Sequence, residues 1–173
     1  MVFWLTGLPA SGKTTLANLL TEYLRGKGFK VDCLDGDTLR SMFPNTGFSK
    51  EERIRHVRRA GEFAAKSERE EAIVVASLIS PYRAARSYVR SLCSQFIEIY
   101  VKASLETCKA RDPKGLYMKA GNGEIKGFTG IDDPYEEPEK PEIVINTDDQ
   151  TLQQSFDLLK EYVDGRLFQV GKK

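Results

Sequence analysis

With 173 residues the chain has single-domain length and buries roughly 70% of its unfolded surface on folding, so it needs no disulfide or metal staple. Its 26 basic and 25 acidic residues leave a formal charge of +1, which gives no general reason to expect a nucleic-acid or membrane partner. No stretch approaches the roughly 20 apolar residues of a membrane helix, and Cys33, Cys93 and Cys108 form no CxxC pair. A reduced, cytoplasmic protein is expected, with Cys33 buried in its apolar run.

Residues 2–6 read as a first strand. No charged region precedes them, so MVFWLTG is not a signal peptide. Residues 13–25 form a helix with Leu16, Leu19, Leu20, Tyr23 and Leu24 at helical spacing, ended by Gly26 and Gly28. Residues 30–34 are the second strand, after which Asp37 stands as N-cap to Thr38, Leu39 and Arg40. A long helix covers 49–68, opened by Ser49 and Glu52 in the form of a capping box. Strands follow at 73–78, 96–101 and 142–146, and helices at 83–92, 105–111 and 152–163.

Between 112 and 134 lie five glycines and three lysines without a period. A loop of that length is functional or disordered, and its basic residues suit a mobile lid over a phosphate-rich pocket. Strands alternating with helices predict an α/β fold, with a five-stranded, mainly parallel sheet covered on both faces. The whole chain, 1–173, reads as one domain with ligands at the carboxyl ends of the strands.

Gly7-Leu8-Pro9-Ala10-Ser11-Gly12-Lys13-Thr14 matches GxxxxGK[ST], with a strand before it and an amphipathic helix after it. Glycines let backbone N–H groups ring the phosphates, and the helix N-terminus adds partial positive charge. Lys13 reaches the β and γ phosphates, and Thr14 offers a hydroxyl to Mg²⁺. The motif alone does not separate a kinase from an NTPase switch or motor. The second strand ends in Asp35-Gly36-Asp37, where one carboxylate suits Mg²⁺ and the other a proton from an attacking hydroxyl. An ordinary Asx turn is the alternative reading. Arg53, on the first turn of the capped helix, suits sulfate or phosphate oxygens. Arg55 and Arg58 read as a solvated face. Phe48 reads as a base-stacking ring or as a plug against its own helix, and Phe128, in a glycine-rich lid with no core to fill, as a base-stacking ring.

GFS at 47–49, ISPYR at 79–83, RDPKGLY at 111–117 and GEIKGFTGIDDPYE at 123–136 make the chain resemble the adenylylsulfate kinase family of P-loop kinases nearly end to end. The resemblance implies transfer of the γ-phosphate of ATP to the 3′-hydroxyl of adenosine 5′-phosphosulfate (APS). It places Gly7, Leu8, Pro9, Ala10, Ser11, Gly12, Lys13, Thr14 and Thr15 on the ATP phosphates and Mg²⁺, and Arg111 against the ATP base. Asp35 and Asp37 flank the metal and the hydroxyl. Arg40 and Arg53 hold the acceptor's anionic part, Phe48 and Phe128 sandwich its adenine, and Ile79, Ser80, Lys114 and Gly127 complete the pocket.

Some members of that family are described with a phosphoserine at the position of Ser80. Ser80 is expected to be exposed in the cleft, yet no base stands near it in sequence, so it reads as lining the site and not as an obligate nucleophile. His56 stands where the family usually has Asn, and reads as a tolerated polar swap that lines the acceptor pocket. The loop between Arg40 and Phe48 is one residue shorter than usual, and Met118 and Gly121 replace two basic lid residues. Homodimerisation and ATP sulfurylase, as fusion or functional partner, are also implied. Members commonly carry an N-terminal extension, so a minimal form or an excised domain is expected here.

Overall fold

The computed structural model describes residues 1–43 and 47–168. The sheet has the order β2-β3-β1-β4-β5, built from β1 (Val2–Thr6), β2 (Val31–Asp35), β3 (Ile73–Ser77), β4 (Phe96–Lys102) and β5 (Ile143–Asn146). Every pairing is parallel. β1 lies at the centre and is wholly buried, which explains its unbroken apolar run.

Alternate residues of β1 feed different cores. Phe3 and Leu5 join Leu16, Leu20 and Leu159 beneath α1 (Lys13–Gly26) and α7 (Leu152–Phe168). Val2 and Trp4 join Val57, Ala60 and Val89 beneath α3 (Lys50–Arg69) and α4 (Arg83–Leu92) on the other face. Gly61 lets α3 approach α4 closely, because a Cβ there would meet Val89 Cγ2 at 2.5 Å. The predicted capping box at Ser49 and Glu52 is formed. Gly47 is required beside it, since a Cβ would lie 2.2 Å from the Glu52 carboxylate.

Three local expectations are corrected. The cap of α2 (Gly36–Met42) is Asp35, not Asp37: Asp35 Oδ1 accepts from the N–H groups of Asp37 and Thr38, so the helix starts directly off the strand. Cys33 is exposed, because β2 is an edge strand. The segment 112–134 is not structureless. It contains α6 (Leu116–Gly121), which follows α5 (Leu105–Arg111). Tyr117, Ala120 and Phe128 are buried there with Cys108 in a third apolar cluster, which also takes in Leu8, Ala10 and Leu105. Residues 44–46 of the shortened loop lie outside the described residues.

Candidate active site

A cleft of about 1050 Å³ opens at the carboxyl ends of β1, β2 and β3. Pro9, Ala10, Ser11, Gly12, Lys13, Thr14 and Thr15 form one wall. Gly12 has φ +99, the left-handed conformation that lets the loop turn into α1. Gly7 and Leu8 do not line the cleft. A Cβ on Gly7 would lie 2.3 Å from the Val101 carbonyl, so that glycine seats the loop on β4, while Leu8 turns into the third cluster.

Lys13 is 7% exposed, and its ammonium donates to the Leu8 carbonyl at 2.7 Å. Burial pushes it down to about 8. The group is thus held inside its own loop, short of a strong counter-charge, as suits a residue that receives phosphate oxygens.

Thr14 and Thr15 are exposed at the mouth of the loop. Thr14 Oγ1 lies 3.4 Å from Ser77 Oγ, and Ser77 is the register partner of Asp35. The bonds that Asp35 makes in capping α2 all fall on Oδ1. Among the described residues no group of three or more His, Cys, Asp or Glu side chains could hold a metal by itself. A hydroxyl and a carboxylate, completed by nucleotide phosphates and water, are the oxygen donors that suit Mg²⁺.

The opposite part of the cleft carries the other predicted residues. Asp37 is exposed and paired with Lys114, whose ammonium is held above its ordinary range by that carboxylate. Phe48 is 62% exposed, so it is no plug. The Arg40 guanidinium lies 4.4 Å from its ring centroid and that of Arg53 5.9 Å. Arg40 also donates to the Gly47 carbonyl, and burial lowers its pKa. His56 is buried, and burial, then the neighbouring Arg40, lowers its pKa, so it stands neutral. A neutral imidazole offers one donor and one acceptor, as Asn does. Ile79 and Gly127 line the same space.

Arg53 is buried and already engaged. Its guanidinium binds Thr129 Oγ1 and the Gly127 carbonyl, pairs with Asp133 at 3.3 Å and donates to the Phe48 carbonyl. Tyr82 in turn donates its hydroxyl to Asp133 at 2.9 Å, and burial together with that carboxylate pushes its pKa up to about 12.

Phe128 and Ser80 differ from expectation in their burial. Phe128 has a core to fill: it is 9% exposed and edge-on to Tyr117, with centroids 5.0 Å apart, although it still lines the cleft. Ser80 is 2% exposed and therefore buried, although it too lines the cleft. Its hydroxyl accepts from Trp4 Nε1 at 3.1 Å and lies 3.0 Å from Thr6 Oγ1. Its φ of +41 is one that a non-glycine residue holds at a cost of about 1–3 kcal/mol.

At the far end Arg111 donates to the Thr147 hydroxyl and carbonyl, at 2.9 and 2.6 Å. The Thr147 hydroxyl lies 3.1 Å from the Ser11 carbonyl of the phosphate loop. Ser77 and Thr147 were not singled out from sequence, although both lie at strand ends where the α/β rule looks for ligands. Tyr82, Tyr117, Thr129 and Asp133 lie within the motifs that carry the resemblance, yet nothing local assigns them a role, since each acts through partners distant in sequence.

The family model for adenylylsulphate kinase matches residues 1–146. The chain belongs to the adenylylsulphate kinase family. A probable adenylyl-sulfate kinase of Aeropyrum pernix is 47% identical over 168 residues, covering 94% of this chain and 92% of that protein. One from Archaeoglobus fulgidus is 51% identical over 148 residues, covering 85% and 96%. The structure of Mycobacterium tuberculosis APS kinase in complex with AMPPNP and APS superposes with a TM-score of 0.90 at 34% identity, covering 94% of this chain and 96% of that one. The P-loop kinase fold is therefore the fold of this family member.

Proposed function

We infer that the protein is an adenylyl-sulfate kinase, which transfers the γ-phosphate of ATP to the 3′-hydroxyl of adenosine 5′-phosphosulfate and releases ADP. The observation that carries this reading is a single cleft with an intact phosphate loop at one side and, at the other, two carboxylates, two arginines and two phenylalanines. In the transfer, the 3′-oxygen bonds the γ-phosphorus, the bond from that phosphorus to the β–γ bridging oxygen breaks, and the hydroxyl proton passes to Asp37. Positioning and charge neutralisation supply most of the catalysis in such reactions. Lys13 and the loop N–H groups hold the phosphates. Mg²⁺, held by Thr14 and, through water, Asp35, would neutralise charge on the β and γ oxygens.

Arg40, the exposed Phe48 ring and Lys114 receive the acceptor, and Arg53 orders Phe128 and Gly127 around it. Ser80 supports the pocket and forms no phosphoserine, since its hydroxyl is spent on Trp4 and Thr6. The segment 112–134 acts as a lid within a single domain. The Lys114–Asp37 pair must part as the acceptor enters. Among the described residues no helix is long and apolar enough to cross a membrane, and the three free thiols fit a reducing cytoplasm. Homodimerisation and functional partnership with ATP sulfurylase rest on the family resemblance alone.

Purified protein with Mg-ATP and APS should release ADP and form the 3′-phosphorylated product, with AMP and gluconate as control acceptors. ADP release with a control acceptor but not with APS would refute the assignment. Binding of both ligands without any turnover would favour a nucleotide sensor.

A further inference from the structure

Arg86 has no part in the roles above. It lies on the inner face of α4, 3% exposed, and does not line the cleft. Its guanidinium is shared among three segments. Nε donates to Glu98 Oε1 on β4 at 2.7 Å, one terminal nitrogen to the Ser80 carbonyl at 2.6 Å, and the other to the Glu136 carbonyl at 2.7 Å. Glu98 supplies the counter-charge, and its second oxygen accepts from Arg90 at 3.3 Å. One arm of the fork is thus anchored to the sheet, and the other two hold parts of the site.

The first of these is the turn at Ile79 and Ser80, with its left-handed backbone at Ser80. Trp4 and Thr6 hold the Ser80 hydroxyl and Arg86 holds its carbonyl, so the unusual conformation is bound from two sides. The second is the point where the lid rejoins the rest of the chain. Glu136 N–H donates to the Pro81 carbonyl at 2.8 Å, the Tyr135 hydroxyl lies 2.9 Å from Thr6 Oγ1, and the Tyr135 ring centroid is 5.8 Å from the Arg86 guanidinium. A planar group with donors in a fixed fork sets its acceptors at fixed places relative to one another, which an ammonium does not.

We propose that Arg86 is a positioning residue for the acceptor site: touching neither substrate, it locks the turn at Ile79 and Ser80 to the root of the lid, and so sets acceptor affinity independently of ATP affinity. Its role rests on the adenylyl-sulfate kinase reading only for the identity of the acceptor.

The test uses Arg86→Lys, which keeps a cation opposite Glu98 but loses the fork. A second variant, Arg86→Met with Glu98→Gln, removes both charges together and leaves no unpaired buried carboxylate. Steady-state kinetics give the KM for APS, calorimetry without acceptor gives AMPPNP affinity, and hydrogen exchange reports on the backbone. Both variants should raise the KM for APS by about tenfold or more, the scale of a hydrogen bond to a charged group, with AMPPNP affinity within about twofold of wild type.

Exchange should quicken selectively at Ile79 and Ser80 and across the amides of 123–137. Glu98→Gln alone, which still accepts from Nε, should leave the KM for APS within about threefold. Equal loss of APS and AMPPNP affinity, or exchange that rises everywhere, would reduce Arg86 to a structural role and overturn the proposal. So would an unchanged KM with unchanged exchange. A wild-type protein inactive on APS would overturn the acceptor assignment, and the exchange pattern would still decide the role of Arg86.

Discussion

ATP binding should draw a proton from solution onto Lys13, by an amount set by pH. In the ligand-free protein burial pushes this ammonium down to about 8. Against a triphosphate the charged form is favoured, and the pKa returns towards or above the ordinary lysine value of 10.5. At pH 8 the free protein therefore carries about half a proton on Lys13, and binding takes up about half a proton. Uptake falls to about 0.1 proton at pH 7 and rises to about 0.9 at pH 9, while affinity weakens about tenfold between those limits.

Calorimetric titration with AMPPNP, in buffers of different ionisation enthalpy, reads the uptake directly. Lys13→Arg, whose guanidinium stays charged, should abolish it. Uptake that does not change with pH, or that persists in Lys13→Arg, would refute the reasoning. The same shift bears on stability. The folded pKa is depressed, so between about pH 8 and 10.5 the unfolded chain binds more protons and this group makes stability rise with pH. The burden it removes is about 3 kcal/mol, fully present below pH 8.

Asp35→Asn should leave the unfolding free energy from urea denaturation within about 0.5 kcal/mol, because Asn caps a helix as well as Asp, yet lower kcat by roughly 100-fold or more, because a neutral amide would hold Mg²⁺ less well. Tyr117→Phe removes the hydroxyl that donates to the Pro9 carbonyl at 3.0 Å while keeping the ring against Phe128; denaturation should show a loss of about 1 kcal/mol. Gly61→Ala sets a helix-propensity gain of up to about 1 kcal/mol against overpacking of about 1–3 kcal/mol on Val89. Urea unfolding should show a net loss of about 1 kcal/mol with kcat unchanged, and a gain would mean that Val89 yields.

Much of the architecture was legible in the sequence because its signals are local. β1 and β3 are continuous apolar runs, the phosphate loop is eight adjacent residues, and the capping box at Ser49 and Glu52 is a three-residue spacing. Local sequence offers Asp37 as the cap of α2, which places the start of the helix too late. Both aspartates suit an N-cap, and only the backbone decides that Asp35 takes the N–H groups of Asp37 and Thr38. α6 was hidden because six residues give too little periodicity among glycines. Phe128 and Ser80 read as exposed in the sequence for a common reason: the partners that bury them, Tyr117, Trp4 and Thr6, lie on other elements. The Arg86 fork spans 50 residues to Glu136 and leaves no pattern in sequence.

The third apolar cluster has a consequence for protein engineering. Leu8 and Ala10 reach it from the phosphate loop, Leu105 and Cys108 from α5, and Leu116, Ile125 and Phe128 from the segment that closes over the cleft. A chimera that exchanged residues 112–134 for those of a relative would join two unmatched halves of one small core. Gly130 sharpens the constraint, since a Cβ there would come within 3.0 Å of Leu8 Cδ2. Transplants should therefore carry Leu8, Ala10 and Leu105 along with the segment, and across homologues these positions should covary with the residues they meet.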